Sequence, residues 1–115
     1  MVEKILVENE KEAIAVSIDD LLYITTTKQV HYLKLVTLNG NFILRGTLMD
    51  FENKYSNLVR CHRQAVVNIQ AIKEIDKQSR QIYFFTNTTE TCPISRRIYK
   101  KLHADWRKLI YSDSF

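Results

Sequence analysis

The sequence predicts a mainly β domain with two helices of unequal length. Most apolar segments are short and rich in β-branched and aromatic residues. An Asn39-Gly40 pair separates two such runs in the manner of a hairpin turn. Apolar residues recur at helical spacing only over 47–55 and 96–111. The 115 residues leave room for one domain. A chain of this size buries roughly two-thirds of its unfolded surface, enough for a core without disulfide or metal staples.

The elements follow in order. Residues 2–7 and 13–17 read as strands joined through the acidic 8–12 turn. Ser17-Ile-Asp-Asp predicts one capped helical turn before a strand at 21–25 and a polar loop over 26–29. Strands at 31–38 and 41–45 meet across Asn39-Gly40, where two positive-φ residues are expected. Thr47 caps a helix carrying Leu48, Phe51, Glu52 and Tyr55 at helical spacing. Residues 59–68 read as one strand, with a short helical turn at 69–72. A second hairpin joins 73–76 to 81–86. Pro93 marks 91–94 as a short edge strand. Ser95 then caps the long helix, which places Ile98, Leu102, Trp106 and Leu109 on one face.

The net charge of +4 is mild, yet its distribution is uneven. Residues 1–57 hold six basic and eight acidic side chains, and residues 58–115 hold eleven and five. Arg96, Arg97, Lys100, Lys101, Arg107 and Lys108 fall within one short segment. Such a run is either a solvated helix face or, beside a helix N-terminus, a surface for phosphate. The N-terminus lacks the order of a signal peptide, and no apolar run approaches the roughly 20 residues of a membrane helix. With two cysteines and no CxxC pair, a reducing cytoplasm is expected.

Catalysis is not expected. Gly40 and Gly46 form no phosphate loop, and His31, His62 and His103 share no metal-ligand spacing, so neither cofactor nor metal is implied. Cys61 and His62 are neighbours, but on a strand they face opposite sides and cannot act as a pair. The stretch Arg60-Cys-His-Arg-Gln-Ala-Val-Val-Asn68 runs from polar to apolar, as a strand with one exposed and one buried end would. Its polar end suits a contact site; equally, Arg60 could pair with Glu74 or Asp76 and His62 could be a half-buried hydrogen-bonding residue.

These residues resemble the LytTR family, the β-rich DNA-binding effector domain of many bacterial response regulators. The likeness rests on Leu58-Val-Arg-Cys-His-Arg-Gln-Ala-Val-Val-Asn68 with Ile72 and Ile75-Asp76. It is supported by Tyr23-Ile-Thr-Thr-Thr before His31 and by Pro93-Ile-Ser-Arg-Arg-Ile-Tyr-Lys-Lys-Leu102. The resemblance implies stacked antiparallel sheets of about ten short strands, with loops entering successive major grooves. It assigns base contacts to His31, Arg63 and Arg97, and the chemistry of those side chains suits purine edges. Lys28, Gln64, Ser95, Lys100 and Lys101 are the expected phosphate contacts. Gln64 stands where the family commonly has Ser, and the 77–90 hairpin looks longer than in some relatives.

The strongest likeness is to peptide-pheromone (quorum-sensing) regulators of competence, bacteriocin or virulence genes. It implies that residues 1–115 are the effector half of a two-domain regulator, cytoplasmic, whose receiver domain lies outside this chain. Expected partners are promoter DNA with paired direct repeats, a second copy engaged through the receiver domain, a sensor histidine kinase and RNA polymerase. Cys61 and Cys92 form a candidate redox pair if their strands lie side by side; otherwise they are inert, half-buried thiols. Two other readings compete: a β-domain that stacks single-stranded RNA on its aromatic residues, and a protein-interaction module with a basic helix.

Overall fold

The strands form where β-branched and aromatic residues concentrate, and their alternation sets the layers. The computed structural model describes residues 3–8, 10–85 and 90–112. In chain order these are β1 (Lys4–Glu8), β2 (Ala13–Ser17), β3 (Leu21–Thr26), β4 (Tyr32–Thr37), β5 (Gly40–Arg45), α1 (Leu48–Lys54), β6 (Leu58–His62), β7 (Ala65–Asn68), β8 (Ile72–Asp76), β9 (Gln81–Phe84), β10 (Cys92–Pro93) and α2 (Arg96–Ser112). Single 3-10 turns at Ile18–Asp20 and Ile69–Ala71 lead into β3 and β8.

All pairing is antiparallel. The central sheet has the order β5-β4-β3-β7-β6, flanked by the β1-β2 pair and by a β10-β9-β8 sheet. Ile24, Leu33, Leu35 and Val66 share one core with Ile5, Val7, Val16, Leu48 and Tyr55. Tyr23, Val36, Ala65 and Val67 share the other with Ile72, Ile82, Phe84, Cys92 and Leu102. Both faces of the central sheet are therefore covered, which is why Ala65–Val67 of β7 and Leu21–Ile24 of β3 are apolar without interruption. At about 1.5–3 kcal/mol for each fully buried aliphatic side chain, this middle layer carries much of the stability.

The helices follow the expected signals. Thr47 Oγ1 accepts the Asp50 amide at the start of α1, and Ser95 Oγ accepts the Ile98 amide at the start of α2. Ile98, Leu102, Trp106 and Leu109 pack on the second core as the spacing predicts, joined by Tyr99, while Trp106 Nε1 donates to the Ile72 carbonyl. Pro93 lies on an edge strand. Two expected segments, the start of β1 at residue 2 and the end of β9 at residue 86, fall outside the described residues.

Three expectations are corrected. Residues 59–68 are not one strand: β6 and β7 fold back on each other, with Arg63 and Gln64 at the turn. The register slips between Arg60 and His62, so Cys61 is the extra residue of a bulge. Continuous apolar and polar runs hide such a reversal because no Gly or Pro marks it. At the Asn39-Gly40 turn only Gly40 has positive φ (113°), because Thr37 Oγ1 accepts the Asn39 amide and donates to the Gly40 carbonyl, holding Leu38 and Asn39 in ordinary conformations. The strand expected from residue 31 begins at Tyr32, since His31 itself has φ 71°.

Asn68 is one of two buried polar residues among those described. Its Nδ2 donates to the carbonyls of Ile18 and Leu21, both at 2.9 Å, and its Oδ1 accepts the Gln70 amide. One side chain thereby joins both 3-10 turns. Asn68→Ala leaves buried carbonyls short of donors and is expected to destabilise the domain by about 2–4 kcal/mol. Urea unfolding followed by circular dichroism measures this.

Candidate nucleic-acid interface

The site begins with the pairing of β3 and β7. Their register is Tyr23↔Val67, Ile24↔Val66 and Thr25↔Ala65, so the C-terminal end of β3 meets the N-terminal end of β7. The loop after β3 and the turn before β7 must then emerge at the same end of the sheet. The Gln64 carbonyl extends the pairing by accepting the Thr26 amide (3.0 Å) and the Thr25 hydroxyl (3.1 Å). His31 and Arg63 thus belong to neighbouring loops although 31 positions separate them.

The His31 loop is held by the Thr27 side chain and by the Gly46 amide. Thr27 Oγ1 accepts the Gln29 amide and lies 3.0 Å from the Gln29 and Tyr32 carbonyls. The Gly46 amide donates to the His31 carbonyl at 2.9 Å. His31 occupies the left-handed region at a cost of roughly 1–2 kcal/mol, and its imidazole is exposed. Lys28 and Val30 are exposed on the same loop, Val30 by 74%. A cleft of about 330 Å³ beneath the loop is lined by Thr27, His31, Met49 and Arg60, among others.

The Arg63 turn is clamped from below. Arg60 Nε and Nη2 both meet Glu52 Oε1, at 3.1 and 3.0 Å, while its Nη1 donates to the Arg63 carbonyl at 3.1 Å. Arg60 therefore pairs with Glu52 of α1, not with Glu74 or Asp76. That partner is invisible in the sequence because only the fold brings α1 against β6. His62 Nδ1 accepts the Gln64 amide at 3.2 Å, which requires Nδ1 to be unprotonated. The Arg63 and Gln64 side chains are exposed.

The third segment is the start of α2. The Ser95 amide donates to the Cys61 carbonyl at 2.9 Å, seating the helix N-terminus two residues from Arg63. Arg97 is exposed in the first turn. Lys100 and Lys101, expected as a pair of phosphate contacts, diverge. Lys100 lines a depression with Lys77, Arg80, Arg96 and Tyr99. Lys101 lines a crevice with Glu52, Val59 and Arg60. The sequence gives no sign of this divergence, or of the Arg60 clamp.

Beneath these turns the Cys61 and Cys92 sulfurs lie 3.4 Å apart. Both residues are fully buried rather than half-buried, because the bulge turns Cys61 into the core. Its hydrogen bond with Cys61, and then burial, hold the Cys92 thiol far above the ordinary range. Among the described residues no group of three or more His, Cys, Asp or Glu is arranged to hold a metal, and no helix is long and apolar enough to cross a membrane.

The family model described as the LytTr DNA-binding domain matches residues 11–107. Accessory gene regulator protein A of Staphylococcus aureus is 29% identical over 101 residues, which is 88% of this chain and 42% of that protein. The Staphylococcus epidermidis protein of the same name is 27% identical over 101 residues, with the same shares. This chain thus spans about two-fifths of the length of these relatives. A LytTr DNA-binding domain from a Bacillus cereus response regulator superposes with a TM-score of 0.67 at 19% identity, covering 93% of this chain and 95% of that one. That likeness extends to the fold, with its three antiparallel sheets and terminal helix. With the family match covering most of its length, this chain belongs to the LytTr DNA-binding domain family.

Proposed function

We propose that this domain reads double-stranded promoter DNA through three loops, with His31, Arg63 and Arg97 meeting base edges in successive major grooves. The carrying observation is the convergence of the 27–31 loop, the 63–64 turn and the start of α2 at one end of the central sheet. Arg63 and Arg97 each offer a guanidinium that can bond guanine O6 and N7 together, and His31 can donate to a purine N7. Exposed Val30 offers apolar contact to a thymine methyl. Lys28, Gln64, Ser95, Lys100 and Lys101 contact phosphates and set register. The Ser95 oxygen also caps α2, so its hydroxyl proton is the group left for a phosphate.

In a protein of the relatives' length, this domain acts as the effector of a cytoplasmic two-component regulator of the quorum-sensing type. A phosphorylated receiver domain pairs two copies on direct repeats, a sensor histidine kinase supplies the phosphoryl group, and bound DNA is presented to RNA polymerase as an activator would. The domain carries no catalytic role in this reading.

A second reading rests on the 3.4 Å sulfur separation. A peroxide takes two electrons and both thiol protons from Cys61 and Cys92, joining the sulfurs as hydrogen peroxide becomes two waters. Closing to the roughly 2.05 Å of a disulfide shifts the Cys61 bulge and the strand before Ser95, and so moves Arg63 and Arg97. An unchanged free-thiol count after mild peroxide treatment contradicts this.

Arg97→Ala is expected to lose about 1–3 kcal/mol of discrimination between a duplex selected from random sequence and bulk DNA. Competition binding measures it, with single-stranded RNA in a parallel titration binding more weakly. His62→Asn retains an acceptor for the Gln64 amide and is expected to keep near-normal affinity for the selected duplex. His62→Leu loses that acceptor and is expected to bind several-fold more weakly, read by fluorescence anisotropy.

A further inference from the structure

Two non-glycine residues among those described adopt a left-handed backbone, His31 and Arg80. Arg80 (φ 55°) ends the turn between β8 and β9, where Asn or Gly sits at lower cost. The turn is built firmly. Asp76 Oδ1 accepts the amides of Gln78 and Ser79, and those bonds hold its carboxyl below the usual range. The Ile94 amide donates to the Arg80 carbonyl at 3.0 Å, tying the turn to the segment that enters α2.

This tie continues the row of loops. Arg80 is bonded to Ile94, Ile94 precedes Ser95, and Ser95 is bonded to Cys61 below the Arg63 turn. Beside that row Lys77, Arg80, Arg96 and Lys100 surround a depression of about 240 Å³, whose remaining lining residue is Tyr99. Lys77 Nζ lies 5.8 Å from the Tyr99 ring centre. All four cations are exposed, and none makes an ion pair with another described residue. Asp76, the last residue of β8, accepts these amides and forms no ion pair with the four cations.

We infer that Lys77 and Arg80, with Arg96 and Lys100, form a phosphodiester site that makes the β8–β9 turn a fourth DNA-contacting segment, gripping backbone beside the bases read by Arg97. The inference rests on the DNA-reading function above. Four exposed cations from two elements, none of them in an ion pair with a described residue, converge on one depression in line with the base-reading loops and suit the charge of a nucleic-acid backbone. Contacts of this kind add affinity on any sequence and no base preference.

The test is the salt dependence of binding to a 30-base-pair mixed-sequence duplex. Lys77→Gln combined with Arg80→Asn removes two cations, and Asn tolerates the left-handed position. Relative to the unaltered domain, the slope of log affinity against log salt should fall in magnitude by about 1.8, at roughly 0.9 per phosphate. Preference for a selected duplex should be unchanged. Lys4→Gln with Lys54→Gln, on elements of the opposite core, matches the loss of net charge and should leave the slope unaltered. Thermal unfolding confirms that both double variants fold. An unaltered slope in the Lys77/Arg80 variant, or an equal fall in the control, overturns the inference. Failure of the unaltered domain to bind duplex at low salt would instead overturn the DNA-reading function itself.

Discussion

The antiparallel pairing of β3 with β7 is the constraint on which the rest depends. It is non-local, joining residues some 40 positions apart, and it forms the centre of a sheet buried on both faces. It also decides that the His31 loop and the Arg63 turn leave the sheet at the same end. Core and site are consequences of one register. A slip of a single residue would turn the apolar set of one strand, Tyr23 or Val67 with it, toward the wrong core.

Around that pairing, the turns are held through their carbonyls while the side chains of His31, Arg63, Gln64 and Arg80 are left exposed. The carbonyls of His31, Arg63, Gln64 and Arg80 each accept a tethering hydrogen bond, from Gly46, Arg60, Thr26 and Ile94 respectively. None of these bonds uses the exposed imidazole, guanidinium or amide of the turn residue as its donor. Ordering the loops before binding lowers the entropy lost when they engage a ligand. The left-handed backbone at His31 and Arg80 is sustained by the same tethers.

Local signals in the sequence were sufficient for most of the fold. Helical spacing located α1 and α2, Thr47 and Ser95 marked their starts, and Pro93 identified an edge. The β6–β7 reversal was not legible, because Arg63-Gln64 turns without Gly, Pro or Asn and the apolar run after it continues the strand pattern. The Arg60–Glu52 pair and the divergence of Lys100 from Lys101 depend on which elements pack together, and charge counts carry no such information. The sequence placed Cys61 and Cys92 near each other only on condition that their strands adjoin; instead β6 and β10 belong to different sheets, and the two sulfurs meet in the core those sheets share. Net charge alone also hid the His31 loop, which lies in the acidic half of the chain.

The most direct measurement is a backbone amide NMR titration of the domain with a duplex selected from random sequence. Convergence of the three loops requires amides in 27–31, 63–64 and 95–97 to shift together, with one shared affinity. Shifts confined to the basic face of α2, with the 27–31 loop unmoved, would contradict it and leave DNA held by the helix alone.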